Sequence, residues 1–399
     1  MQQDAPSVSA WPKAPRSSAA VEADRIRCVE TEVLIIGGGG AGTSAALHLA
    51  LRGVSTILLE RGLVGSQATG SNYGGVRQQG RHPAGIPLAI KSRAIWARLP
   101  ELTGTDAEFD PCGHLKLART EAEEQSLLDW NAMAAEYGLR PRMVGRNAIR
   151  DLHPYFSDTV IAGSLMEEDG TANPRLLAPA LARAARTAGA SIREHHAVTA
   201  MAHDGALFHV TANGHEFRAP WLLNCAGFWG GQVAASFGEA VPIQALHPNM
   251  LVTEPLPYFL RNSLGVVGGD LYLRQIPRGN VIFGGGHGEG DEDALSVRPT
   301  PEASFGAMQR AIAVLPALRD AMIIRSWSGT DGQLPDKFPV IGASHTTPGL
   351  LHAFGLCGEG FQTGPGIGAV LSELVMDGRT DVPLDAFDIG RFRVQDAAA

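Results

Sequence analysis

The 399-residue chain reads as an α/β protein on three observations. A strand, a glycine run, a helix and a second strand follow one another near its start; an apolar strand ends in small residues near its middle; and a glycine-rich turn enters a helix near its end. Hydrophobic residues make up 44% of the chain and charged residues 19%, which suits a large buried core and excludes a disordered, collagenous or disulfide-framework protein. The 48 glycines concentrate in short runs, which marks places where backbone must approach something closely.

The first element is Thr31 to Ile36, a β-branched strand followed at once by Gly37, Gly38, Gly39, Gly40, Ala41 and Gly42. An Ala/Leu-rich helix runs on to Arg52, with Gly53 as its stop, and Val54 to Leu59 forms a second strand that ends on Glu60. This is the order of a dinucleotide-binding turn. Gly37 permits the tight turn, Gly39 and Gly40 let backbone approach a pyrophosphate, Gly42 allows close helix–strand packing, and Glu60 accepts from a ribose hydroxyl. An acid at the strand end favours an unphosphorylated ribose and leaves NAD and FAD open. After Glu60, the stretch from Arg61 through Thr69, Ser71, Asn72, Gly74 and Gly75 is rich in glycine and hydroxyls without a helical period. Such a stretch suits a path beneath a planar ring, for which a nicotinamide enzyme has no need.

The second observation is Trp221 to Gly231, a strand running into Cys225, Ala226, Gly227 and Trp229. The third is Gly355 to Ile367, with Gly358, Gly360, Phe361, Gln362 and Thr363, followed by a helix that Pro365 is expected to open. Free N–H groups at that helix start would stabilise the anionic edge of a reduced flavin. Between these landmarks Pro174 to Thr187 reads as a helix, and Val198 to Ala202, Phe208 to Ala212 and Phe217 to Asn224 read as strands.

Charge and cysteine usage narrow the partners. With 41 acidic and 33 basic residues the net charge is −8, which disfavours nucleic acid and anionic membrane surfaces. The apolar stretch 33–51 is interrupted by four consecutive glycines and does not read as a membrane span. Cys28, Cys112, Cys225 and Cys357 are widely spaced with no CxxC pair, so a cytoplasmic location is expected, and Cys225 and Cys357 read as packing residues. The acidic runs Glu167-Glu168 and Asp291-Glu292-Asp293 read as solvated charge, with no metal-ligand spacing. Residues 1–27 lack a basic start and apolar core and are expected to be a flexible tail or partner-binding arm.

Five ordered motifs resemble the flavin-dependent amine and imino-acid oxidoreductases of the D-amino-acid oxidase superfamily. They are Ser71 to Gly80, Tyr272-Leu-Arg274-Gln275 with Ile282 to His287, Arg325 to Asp331, Pro335 to Gly342, and Gly355 to Gly360. Within it the chain is most similar to sarcosine oxidase beta chains and to beta subunits of proline, hydroxyproline and opine dehydrogenases. The resemblance implies FAD and hydride transfer from the carbon next to an amine to flavin N5. It implies a Rossmann-type FAD-binding domain (28–100, 165–240 and 327–396) with an inserted mixed or antiparallel-sheet substrate domain (101–164 and 241–326). It further implies a cofactor surface that takes in Val198 and Gly329.

Departures from the family pattern carry further expectations. Ile282 stands where some oxidase members carry a lysine that assists reaction with oxygen, so a dehydrogenase is favoured, passing electrons to a carrier or an alpha subunit. No cysteine stands near Arg325 to Thr330, where covalent members attach FAD, so non-covalent FAD is expected. Asn173 and Pro174 replace the histidine that carries covalent FMN in sarcosine oxidase beta chains, which leaves room only for a non-covalent FMN at a subunit junction.

For the substrate, an amino-acid carboxylate calls for a cation, and Arg274 is the first candidate because it shares a strand face with Tyr272. His247 and His287 are candidates to accept the amine proton, and Asp331 to pair with an ammonium. A 2-hydroxy-acid oxidoreductase on the same scaffold, or a flavin-bearing subunit inactive without partners, are the competing readings.

Overall fold

The computed structural model describes residues 28–293 and 295–393; the expected tail at 1–27 lies outside them. Its first sheet has six strands in the order Val340–Ala343, Leu350–Phe354, Trp221–Gly227, Val33–Ile36, Thr56–Leu59 and Ser191–Arg193. All neighbours are parallel except the first pair. Val33 to Ile36 and Thr56 to Leu59 are buried throughout, as strands covered on both faces must be.

One face is covered by the helices Gly40–Leu51, Pro174–Thr187 and Gly360–Asp377. The other is covered by a four-stranded sheet whose Phe208, Val210 and Phe217 pack on Leu34, Ile57 and Leu59. Here the strand expected at Phe217 to Asn224 is corrected. It is two strands, His215–Ala219 in the covering sheet and Trp221–Gly227 in the central one, parted at Pro220. Both halves have strand composition; the proline, which has no N–H to give to a ladder, marks the change of sheet.

A second correction concerns Pro365. The helix begins at Gly360, so Pro365 lies inside it. Ser92 repairs the interrupted ladder: Gly366 N–H donates to Ser92 Oγ at 3.0 Å, while Gln362 O accepts from Ser92 Oγ at 2.5 Å and from Trp96 Nε1 at 3.0 Å. The stretch after Glu60 likewise contains a short helix, Ala68–Ser71, that its composition did not announce.

The other large sheet has eight strands in the order Ile323–Ser328, Pro248–Pro255, Asn280–His287, Tyr272–Gln275, Ser263–Val266, His114–Ala118, Ala162–Met166 and Arg142–Gly145. It is antiparallel except where Ser263–Val266 runs parallel to His114–Ala118, so the sheet is mixed. Alternation sends Leu115, Leu117, Leu264, Leu273 and Phe283 into a core closed by Ala307 and Ala311 of the helix Pro301–Val314. The domain limits expected at 164/165 and 326/327 each fall inside a strand of this sheet. The molecule is thus an α/β structure of two large sheets, with a cavity lined from both.

Candidate active site

The cavity measures about 1090 Å³, slightly more than the ~300–1,000 Å³ usual for small-molecule sites. At one part of it stands the glycine turn. Gly37 has φ +108°, and a Cβ there would overlap Cys225 O; a Cβ on Gly42 would overlap Gly37 O. Both positions therefore exclude any side chain. Gly39, which precedes the helix Gly40–Leu51, has no side chain to cap it, and the turn lies against the cavity with its backbone.

Glu60 sits where the next strand ends. It is buried, and both carboxylate oxygens are held by backbone, Gly38 N–H donating to Oε2 at 2.7 Å and Gly62 N–H to Oε1 at 2.8 Å. Arg61 follows, its guanidinium 3.5 Å over the Trp229 ring, and both line the cavity with Val198. Gly40 N–H donates to Thr69 Oγ1 at 3.0 Å, which ties the turn to the Ala68–Ser71 helix. Beyond it Trp327 Nε1 donates to Ser71 O at 2.7 Å, and Gly329 comes so near Ser71 Oγ that no Cβ would fit. Asn72 accepts from Gly74 N–H at 2.7 Å and donates to Thr69 O at 2.8 Å, setting the bend of the loop.

Gly37, Gly39, Gly40, Ala41, Glu60, Arg61, Thr69, Ser71, Asn72, Gly75, Val198, Cys225, Ala226, Gly227, Trp229, Gly329, Gly358, Gly360, Phe361 and Gln362 all line this cavity. Gly42, Gly74 and Thr363 do not. Gly42 is buried behind the turn, Gly74 backs onto Ala172 O and Arg274, and Thr363 turns its hydroxyl to Glu359 O at 2.9 Å. A cradle closed to Cβ atoms, a helix start at the turn, a fixed carboxylate and the glycine-rich start of a second helix fit FAD.

Of the substrate candidates, Tyr272, His287 and Asp331 line the cavity. Burial pushes the Tyr272 phenol above its usual range, and its ring lies 4.7 Å from that of Tyr73. It therefore stays protonated and able to donate. Burial raises Asp331 to about 6, against donation from Gln333 Nε2 at 3.1 Å. His247 does not reach the cavity: Nε2 meets Glu292 Oε1 at 3.0 Å and Nδ1 faces Thr330 Oγ1 at 3.4 Å. Glu292 is accordingly paired rather than merely solvated.

Arg274 is also absent from the cavity wall. It shares the sheet face of Tyr272, as alternation requires, but the loop at Gly74 covers it, a Cβ there lying 2.8 Å from its Nη2. Burial lowers its guanidinium to about 10, and its Nε has no hydrogen-bond partner.

Four groups on the wall escaped the sequence reading: Arg77, Arg81, His114 and Lys116. Arg81 is buried and pairs with Glu359 at 2.5 Å. Gln79 Nε2 donates to Ser164 O at 2.9 Å, so its Oε1 accepts from His114 Nδ1 at 2.7 Å, leaving Nε2 as the ring's acceptor. Burial, followed by the charges of Arg77, Lys116 and Arg81, holds His114 well below 6.5. The alternating pattern His114-Leu-Lys116-Leu was the signal for a polar face on this strand.

The comparisons agree with this geometry. The chain is 29% identical over 381 residues to 4-methylaminobutanoate oxidase (formaldehyde-forming) of Paenarthrobacter nicotinovorans, covering 90% of this chain but 45% of that protein. It is 26% identical to the sarcosine oxidase beta subunit of Rhizobium meliloti (strain 1021), covering 90% of this chain and 88% of that one. The fold matches L-proline dehydrogenase from P. horikoshii with a TM-score of 0.86 at 25% identity, covering 92% and 98% of the two chains. With a family model described as FAD dependent oxidoreductase matching residues 32–374, the chain belongs to the FAD dependent oxidoreductase family.

Proposed function

We propose that this chain binds FAD non-covalently and oxidises an amino or imino acid at the bond between nitrogen and its neighbouring carbon. The observation that carries the proposal is one continuous cavity, running from the Gly37–Gly42 turn and Glu60 to a chamber walled by Tyr272, Asp331 and Lys116. When bound, FAD would supply the two-electron acceptor for the hydride that leaves that carbon.

The chain's own residues do the rest. Gly37, Gly39, Gly40 and Ala41 would face the pyrophosphate, Glu60 the ribose, Arg61 and Trp229 the outer nucleotide, and Ser71, Asn72 and Gly358 to Gln362 the ring system. Tyr272, kept protonated by burial, donates a hydrogen bond to the substrate. Asp331 faces the amine, and His114, held neutral by burial, and the candidate His287 line the chamber and are placed to take its proton.

Electrons leave to a carrier or a partner chain rather than mainly to oxygen. Two relatives are named as parts of larger enzymes, one of sarcosine oxidase and one of opine oxidase, which supports a partner. Asn173 Oδ1 caps the helix Pro174–Thr187 by accepting from Arg175 N–H at 3.1 Å and offers no attachment for a second flavin, so any FMN would be non-covalent and at the junction with that partner. The test is turnover with sarcosine, the prolines, hydroxyproline, glycine and opines, followed both by dye reduction and by hydrogen peroxide. Dye reduction far outpacing peroxide, with acid precipitation releasing all the flavin, is the expected result. Peroxide at the same rate as dye reduction would make the chain an oxidase.

A further inference from the structure

We propose that Lys116, together with Arg77, anchors the carboxylate of the substrate on the stretch of cavity wall that these two share with His114. The inference rests on the amino- or imino-acid reading above and deepens it by naming the cation that selects the acid.

Sheet register sets this wall. Gly265 pairs with Tyr272 on one side and with Lys116 on the other, so the three stand in one row across adjacent strands. Residues directly opposed in a sheet share a face, and two strand spacings put the outer backbones roughly 10 Å apart. The middle place is a glycine, and the His114 imidazole lies over it, Nε2 3.1 Å from where a Cβ would stand, while the Tyr272 ring leans over Gly284 on its other side. All three residues of the row line the cavity. The alternation that turns Lys116 toward the cavity turns Leu115 and Leu117 into the core behind it.

The ammonium is placed and uncommitted. Lys116 Nζ lies 2.7 Å, and Arg77 Nη1 3.5 Å, from where a Cβ on Gly80 would stand; Gly80 itself has φ +76°. The two cations therefore converge over a residue without a side chain. Arg77 Nη1 also donates to Gln79 O at 2.5 Å, while Lys116 makes no hydrogen bond among the described residues. The carboxylates nearby are engaged elsewhere: Glu359 pairs with Arg81, and Asp169 accepts from Gln78 N–H at 2.7 Å and Gln79 N–H at 2.9 Å. His114, on the same strand face, is neutral. With Arg81 taking up Glu359, Lys116 and Arg77 leave an excess of positive charge on this half-buried wall, which favours an anionic ligand, and at low local dielectric that attraction is strong. Burial lowers the Lys116 ammonium to about 8, Arg77 and Arg81 adding to the fall and Glu359 opposing it, so the anchor loses its charge within an accessible pH range.

The test uses the FAD-loaded enzyme and two acids with no oxidisable amine, methoxyacetate and tetrahydro-2-furoate, titrated by calorimetry and by the visible spectrum from pH 6.5 to pH 9.5. Wild type should bind both and weaken about tenfold across pH 8. Lys116→Met should bind at least tenfold more weakly at pH 7 with little pH dependence. Lys116→Arg should restore the affinity and abolish the slope, which keeps the proposal testable if the methionine variant does not fold. Affinity and slope unchanged in Lys116→Met would overturn it. So would a variant that keeps its acid affinity but shifts the flavin's reduction potential, which would place the ammonium at the ring. Because these acids are not oxidised, a protein that binds them through Lys116 yet oxidises no amine would sink the activity and leave the anchor standing.

Discussion

Two cations on strands that flank Ser263–Val266 illustrate how a side chain is chosen for a site by its cover as well as by its face. Arg274 and Tyr272 share a face, yet Arg274 lies under the Gly74 loop while Lys116, across Gly265, opens on the cavity. The expected outcome for Arg274→Met is an inert-acid affinity within about threefold of wild type, under 1 kcal/mol by the tenfold-per-1.4 kcal/mol relation. A loss as large as that of Lys116→Met would return the carboxylate to Arg274. Glu60→Gln keeps the shape but gives up the charge that accepts from Gly38 N–H, and loses a charge-assisted bond worth roughly 1.5–3 kcal/mol. The flavin should then dissociate more readily, as measured by fluorescence of released FAD. These side chains split by legibility. Glu60 was readable because a strand end fixes it, whereas Lys116 and His114 became visible only when pairing with Gly265 and Ser263 brought a distant strand beside them.

Helix packing gives the clearest case of a glycine required by a close approach. Gly368, in Gly360–Asp377, faces Gly40–Leu51, and a Cβ there would overlap both Ala45 N and Ser44 Cβ. Replacing glycine by alanine in a helix would gain about 1 kcal/mol from propensity alone. The clash is with backbone that cannot step aside, and overpacking typically costs about 1–3 kcal/mol. Gly368→Ala is therefore expected to be destabilising and to loosen the flavin, since Gly40–Leu51 carries the turn; a raised melting temperature would contradict this. The elements of the parallel unit were legible because period and punctuation coincide, with Pro174–Thr187 found at its expected bounds. The break at Pro220 and the helix start at Gly360 were not, because tertiary partners decide them: a second sheet in one case, and Ser92 entering the ladder in the other.

The cavity joins the two large sheets, so occupancy should stabilise the whole chain rather than one part of it. A ligand present at 100 times its Kd adds about 2.7 kcal/mol. The apoprotein's melting temperature should rise with added FAD and not with added NAD, as scanning fluorimetry would show. Acid stability follows from buried groups of opposite sense. Asp169, raised to about 6 chiefly by burial, binds its proton more tightly folded than unfolded, so its contribution falls as pH rises from about 4 to about 6. His114, held well below 6.5 by burial, contributes stability above that value that is lost as pH falls below it. His114→Gln should therefore lose less stability than wild type between pH 6.5 and pH 5 in urea unfolding. The family and the glycine turn were legible in local motifs; of the substrate wall, Tyr272, His287 and Asp331 were legible, while Arg77, Arg81, His114 and Lys116 were not.

The central claim is that this cavity brings an amino-acid amine against a bound flavin, and an anaerobic visible spectrum tests it most directly. Purified chain loaded with FAD would be titrated without oxygen with sarcosine, D- and L-proline, hydroxyproline, glycine and opines. Bleaching of the oxidised band by at least one of them, lost in Tyr272→Phe or slowed at least tenfold, is the predicted result. A flavin that binds fully and is bleached by none of these amines, but is bleached by a 2-hydroxy acid, would contradict the account.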